Sequence, residues 1–102
     1  MQARRQGDVI IKSIKAVPKD LETDPSKVLA YGEHSGHSHQ ITSGEANVLV
    51  NKALGLMFLQ VLSENAVLSH EEHQDINLPM GNYEVLIQRE YDFMEGTRKV
   101  LD

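Results

Sequence analysis

The chain has 102 residues, of which 40% are hydrophobic and 25% charged, and its formal net charge is −5. This length predicts a single domain, residues 1–102, with a modest core, and the acidic balance argues against nucleic-acid binding through phosphate neutralisation. No apolar run approaches the roughly 20 residues of a membrane-spanning helix, and the absence of cysteine excludes disulfides and thiol chemistry, so we expect a cytoplasmic protein without membrane association.

The N-terminal half is typical of short strands separated by polar turns. β-Branched residues dominate positions 8–14, which favours a strand. Residues 19–27 carry three acidic residues and a proline, so they are predicted to form a surface loop. Residues 28–31 predict a second strand, and residues 37–42 are predicted to be extended before a turn at Ser43-Gly44.

The segment 45–65 has two interpretations. Its apolar residues recur at helical spacing and would form an amphipathic helix. The same residues also divide into two strands, 46–50 and 56–62, joined by a turn through residues 51–55. Gly55 would cost a helix interior about 1 kcal/mol relative to alanine, which favours the hairpin, and the helix stays open as the alternative.

The C-terminal third contains a strand with clear alternation. Residues 78–82 include proline and glycine and are predicted to form a turn. After it, Tyr83, Val85 and Ile87 alternate with Glu84 and Gln88, which predicts a half-buried strand. Residues 98–101 predict a last edge strand. The fold class expected is mainly β, a small antiparallel barrel or sandwich of about seven or eight short strands, and its short exposed edges make a homodimer plausible.

All five histidines lie between positions 34 and 73. On a strand, His37 and His39 would point to the same face, whereas His70 and His73 meet only on a helical turn or a tight bend. Histidine is the commonest metal-binding side chain. The four are therefore predicted to bind a divalent metal, Zn²⁺, Mn²⁺, Fe²⁺ or Ni²⁺, and spacing alone does not choose among these ions.

Glu71 and Glu72 lie between the second pair of histidines and are candidate catalytic residues. Each carboxylate could bind the metal, orient an imidazole or act as a general base; the alternative is a solvated pair. Arg89 and Tyr91 are candidate ligand-binding residues at the end of a strand, where the alternative is an ion pair with Glu90 beside a half-buried tyrosine.

Three functions are compatible with these residues. The first is binding of a metal ion or a small polar ligand through the histidines. The second is a metal-assisted hydrolase, in which bound water is the nucleophile and a glutamate is the base. The third is a protein-interaction module in which the histidines only connect loops to the sheet.

Several blocks of the sequence are specific enough to compare with known families. They are Gln6–Val9, Leu29–Glu33, Gly36–His39, Leu68–His73, Ile76–Val85 and Gln88–Tyr91. These blocks resemble a family of small uncharacterised proteins of bacteriophages and bacteria, in which the domain also occurs at the end of longer proteins. The resemblance covers most of the chain and implies a β-rich domain, which supports the hairpin interpretation of residues 46–62. It implies no activity.

Overall fold

The computed structural model of the chain describes residues 3–31 and 37–88. These residues form eight antiparallel strands, and the sheet curls into a half-barrel. The mainly β prediction is confirmed, although two strands are 15 residues long rather than short. Within the described ranges no helix is suited to crossing a membrane. The strands are β1 (Ala3–Gln6), β2 (Val9–Ile14), β3 (Glu22–Asp24), β4 (Val28–Tyr31), β5 (Ser38–Ser43), β6 (Ala46–Asn51), β7 (Leu56–His70) and β8 (His73–Ile87).

The segment with two interpretations is a hairpin, and the helical alternative is wrong. β6 and the first part of β7 pair from Ala46↔Val61 to Asn51↔Leu56. Gly55 lies in the connecting turn at φ +69°, a conformation that glycine adopts without steric cost. Along β6, buried residues alternate with half-buried ones, so the apolar residues follow the period of two that a half-buried strand requires.

The long hairpin of β7 and β8 is the frame of the sheet. β8 pairs with β7 along one edge and with β2 beyond it. On the opposite edge of β7, its first part pairs with β6 and its second part with β5. β5 and β6 therefore run end to end along one long strand, separated only by Gly44 and Glu45.

The strands bend at one common level, midway along this hairpin. The register between β7 and β8 shifts between Val61 and Asn65, and the N–H groups of Leu62 and Ser63 donate to the carbonyl of Glu45 at 2.8 and 3.3 Å. Bulges of this kind bend a strand and increase its twist. This bend returns the far end of the hairpin toward the β1–β2 turn.

The predicted turn at residues 78–82 is wrong, because the chain continues through it as β8. Pro79, which has no N–H to donate, is accommodated at the register shift, opposite Asn65. Gly81 has φ +152°, and it contributes to the bend rather than to a reversal of the chain. The proline and glycine of this segment therefore mark a bend in the sheet and not a turn between two strands.

Two short strands were not predicted. β3 lies within the predicted loop at residues 19–27 and pairs with β6. β1 pairs with β2 across a two-residue turn in which Gly7 has φ +60°. Both strands are polar and largely exposed, so hydrophobic alternation gives no signal for them. The edge strand predicted at residues 98–101 lies outside the described residues.

The core lies between the facing halves of the curled sheet. Its fully buried aliphatic side chains come from both ends of the long hairpin and from β2 and β6, so closing the bend is what removes them from water. The largest of them are Val9, Ile11, Val48, Leu59, Val61, Leu68 and Leu78.

Candidate histidine site

Three segments that are far apart in the sequence meet at one end of the half-barrel. They are the β1–β2 turn with Gln6, the start of β5, and the β7–β8 turn at residues 70–73. Together they gather all four predicted histidines. The ring centroids lie 4.2 Å apart for His39 and His70, 4.6 Å for His70 and His73, 5.6 Å for His37 and His70, and 5.9 Å for His39 and His73.

The β7–β8 turn supplies His70 and His73 through a tight bend, as their spacing predicts. The two residues are paired across the hairpin, with Glu71 and Glu72 as the loop between them. The backbone N–H of Glu72 donates to Nδ1 of His70 at 3.0 Å. This bond fixes the ring of His70 against the turn.

His39 is held by the side chain of Gln6, and both residues are almost fully buried, with 3% and 2% of their surface exposed. The amide nitrogen of Gln6 donates to the carbonyls of Leu68 and Gln74 at 3.0 and 2.8 Å. Its oxygen is therefore left to accept a hydrogen from Nδ1 of His39, 2.8 Å away. The neutral ring of His39 consequently carries its hydrogen on Nδ1 and a lone pair on Nε2, which lies 3.4 Å from Oδ1 of Asp8.

Gly7 provides the space for this close packing. A Cβ atom at this position would lie 2.7 Å from Nε2 of His73 and 3.3 Å from Cε1 of His39. Glycine is therefore required at this position for two reasons. It adopts the positive φ of the turn, and its lack of a side chain leaves room for the rings of His39 and His73.

The surroundings of His39 lower its pKa below the ordinary value of 6.5. The main cause is burial, which disfavours the imidazolium, and the neighbouring His70 and His73 act in the same direction, while Asp8 opposes them. The unfolded chain therefore binds a proton at a higher pH than the folded chain does, so protonation favours unfolding.

We expect the free energy of unfolding to fall as the pH drops through 6.5, and the loss from His39 to level off below its folded pKa. Urea denaturation at about pH 7.5 and about pH 5.5 measures this slope. His39→Gln should reduce the pH dependence relative to the unaltered chain. An NMR titration that gave His39 a pKa at or above 6.5 would contradict the prediction.

A second group within the cluster could hold a metal ion. His37, His70 and Glu71 each offer a ligand atom, and these atoms all lie within 4.8 Å of one another. Oε1 of Glu71 also accepts the backbone N–H of Ser38 at 3.1 Å. Hydrogen bonds from its own backbone N–H and from Ser38 hold the pKa of Glu71 below its ordinary value, and the two histidines lower it further. Glu71 is thus a carboxylate that is ready to bind a cation.

An open depression of about 180 Å³ adjoins this group. The residues around it carry hydroxyl, amide and carboxylate groups beside one imidazole, and the volume suits a few water molecules or a small molecule. The lining residues are Ser38, Gln40, Ser69, His70 and Glu71.

Glu72, the second candidate catalytic residue, lies at the outer side of the cluster. Its Oε2 is 3.5 Å from Nδ1 of His37, and its side chain is 69% exposed. The candidate ligand-binding residues Arg89 and Tyr91 lie outside the described residues, as does His34. The structure adds Gln6, Asp8 and Ser38 to the site. The Gln6-Gly7-Asp8 block was visible in the sequence, but nothing in its spacing connects it to histidines more than 25 positions away.

Comparison with known proteins places the chain in a family. No curated protein matches the chain, and no solved structure matches it. A family described as "Domain of unknown function (DUF8820)" matches residues 5–88, which include all three segments of the site. The chain therefore belongs to this family.

Proposed function

We propose that the protein binds a divalent transition-metal ion through His37, His70 and Glu71. The observation that carries the proposal is the mutual approach of three ligand atoms within 4.8 Å, two from imidazoles and one from a carboxylate. Two nitrogens and one oxygen form a donor set that suits Zn²⁺ and its first-row neighbours.

The separations fit an ion after a small closure of the ligands. Zn–N bonds are about 2.0–2.1 Å long, so two donors on one tetrahedral ion lie roughly 3.3 Å apart. The 4.8 Å limit therefore requires the side chains to move inward by an ångström or so. Glu71 is exposed on a turn and His37 precedes β5, so both have freedom to do this. Three protein ligands would leave a fourth position for water or a small polar ligand from the adjoining depression.

His39 and His73 lie outside the three-ligand group. Nδ1 of His39 donates to Gln6, and its Nε2 lies 3.4 Å from Oδ1 of Asp8. Its ring packs 4.2 Å from that of His70, which restricts the orientation of that ligand. The ligand set with all four histidines stays a prediction, and the distances favour the smaller set.

A metal-assisted hydrolase is the second candidate, and the position of Glu72 favours it. Its carboxylate lies beside His37 and is near enough to the ligand group to accept a proton from a metal-bound water. Glu71 suits this role less, because a lowered pKa makes a carboxylate a weaker base.

Zinc binding to metal-stripped protein tests the proposal, with isothermal titration calorimetry as the measurement. We expect one zinc ion per chain. His37→Ala, His70→Ala and Glu71→Gln should each weaken binding by more than about 100-fold, since even the loss of a residue that only orients a ligand costs 10–100-fold.

His73→Ala is the matched control, because it removes a clustered histidine that lies outside the three-ligand group. Its zinc affinity should fall by less than about tenfold. Equal losses in all the histidine variants would favour the four-histidine set. Absence of zinc binding in the unaltered chain would refute the proposed function.

Three further expectations accompany the proposal. A phage or prophage origin follows only from the resemblance described above, and a cytoplasmic location follows from the composition. A homodimer remains an expectation from exposed strand edges. Sedimentation of the purified chain measures the last of these directly.

A further inference from the structure

Neither ring nitrogen of His70 is ready to bind a metal in the metal-free fold. Nδ1 accepts the backbone N–H of Glu72 at 3.0 Å. A nitrogen that accepts a hydrogen bond carries a lone pair and no hydrogen, so the neutral ring must carry its hydrogen on Nε2. One lone pair is thus already shared, and the other nitrogen is protonated.

A metal ion can reach His70 in two ways, and both remove the bond to Glu72. If the ion binds Nδ1, it takes the lone pair that the N–H now uses. If it binds Nε2, the hydrogen must move to Nδ1, where it would face the N–H of Glu72 donor to donor. The ring stays neutral in both cases, and no net proton is released from it.

From this geometry, and building on the metal site proposed above, we infer that metal binding at His70 and the Glu72 N–H···Nδ1 bond are mutually exclusive. The backbone N–H of Glu72 is therefore a specificity-determining group. It competes for His70 with every incoming ion and admits those that bind imidazole strongly enough to displace it.

This competition defines the class of ion that the site takes. Imidazole suits zinc, copper, nickel and iron, whereas Mg²⁺ and Ca²⁺ prefer oxygen ligands. With Glu71 as the one carboxylate in the group, a hard ion gains little from the site once His70 stays bonded to Glu72. The site therefore selects late first-row divalent ions such as Zn²⁺.

The same competition makes the β7–β8 turn respond to the ion. Glu72 links the two parts of the site, because its N–H holds His70 and its carboxylate lies 3.5 Å from Nδ1 of His37. Release of its N–H removes one hydrogen bond from the turn at Glu72. Metal binding thus changes the hydrogen bonding of the turn at this residue.

NMR spectroscopy of the full-length, ¹⁵N-labelled chain tests the inference. In the metal-free protein we expect a scalar coupling between the amide nitrogen of Glu72 and Nδ1 of His70, because such couplings cross N–H···N bonds. The ring should carry its hydrogen on Nε2. One equivalent of zinc chloride should abolish the coupling and shift the Glu72 amide signal, and magnesium chloride should leave both unchanged.

Two controls make the outcome specific. Glu72→Gln retains the backbone N–H and removes the carboxylate charge, so zinc should abolish the coupling in this variant as well. His37→Ala retains His70 and Glu72 but lacks one ligand, so one equivalent of zinc should leave its coupling in place.

Calorimetry on the same samples separates the two possible failures. Zinc binding with the coupling intact would overturn this inference while leaving a metal site that does not use His70. A coupling that magnesium removes as readily as zinc would also overturn it. Absence of zinc binding would overturn the proposed function and this inference together.

Discussion

Replacing Gly44 with alanine should destabilise the fold by about 3–5 kcal/mol, from backbone strain and overpacking together. Gly44 has φ +88°, and a Cβ atom there would lie 2.3 Å from the carbonyl oxygen of Asn65 and 2.7 Å from Cα of Ala66. Both are backbone atoms within β7, so neither can move without disturbing the strand. Urea denaturation followed by circular dichroism measures the loss.

Gly55→Ala is the matched control for this prediction. Gly55 also has positive φ, at +69°, but a Cβ atom there would meet nothing within 4 Å. Alanine should therefore cost only the strain of the left-handed conformation, about 1–2 kcal/mol. Equal losses at the two positions would mean that the bend does not require close contact between the β5–β6 connection and β7.

Gln6→Leu should cost about 3 kcal/mol, because buried polar groups that lose their partners carry a penalty of about 1–3 kcal/mol each. The substitution retains much of the side-chain volume and removes all three hydrogen bonds. The carbonyls of Leu68 and Gln74 and the Nδ1–H of His39 would then lack the partner that Gln6 provides. The midpoint of urea denaturation reports the change.

A hydrogen bond of the same kind at an exposed position provides the comparison. The side-chain amide of Asn82 donates to the carbonyl of Lys15 at 3.1 Å, where water can replace it. Asn82→Ala should therefore cost less than about 1 kcal/mol. If the two variants lost similar stability, the network around Gln6 would contribute no more than an ordinary surface hydrogen bond.

Local patterns predicted much of the secondary structure. The β-branched run at residues 8–14 is β2, and the alternation after Tyr83 is the second part of β8. The hairpin at residues 46–62 was also favoured correctly, because Gly55 weakens a helix but suits a turn. These features depend on neighbouring residues alone, which a single sequence contains.

The bend could not be predicted, because it depends on contacts between distant segments. Pro79 and Gly81 give the same local signal whether the chain reverses or continues. Only the pairing with β7 and the bonds from Leu62 and Ser63 to Glu45 distinguish the two. The sequence therefore predicts strands only up to residue 62 and from residue 83, whereas both strands continue through the bend.

Histidine spacing indicated two pairs of imidazoles, at residues 37 and 39 and at residues 70 and 73, since period two and a tight bend are local geometry. That the two pairs meet, and how each ring is held, depends on segments that are distant in the sequence. The difference between His39 and His70 is not local. It arises from Gln6, which holds one ring, and from the turn amide of Glu72, which holds the other.

The common bend makes the histidine cluster a property of the complete fold. Its parts come from three stretches separated by about 30 residues each, so loop closure must precede their encounter, and such non-local contacts form slowly. An ion bound there would stabilise the folded chain, because the unfolded chain does not bring the ligands together. At a free concentration 100 times its dissociation constant, the ion would add about 2.7 kcal/mol to the stability of the domain. The melting temperature would therefore report whether the histidine cluster is occupied, although the bend that brings the cluster together lies elsewhere in the sheet.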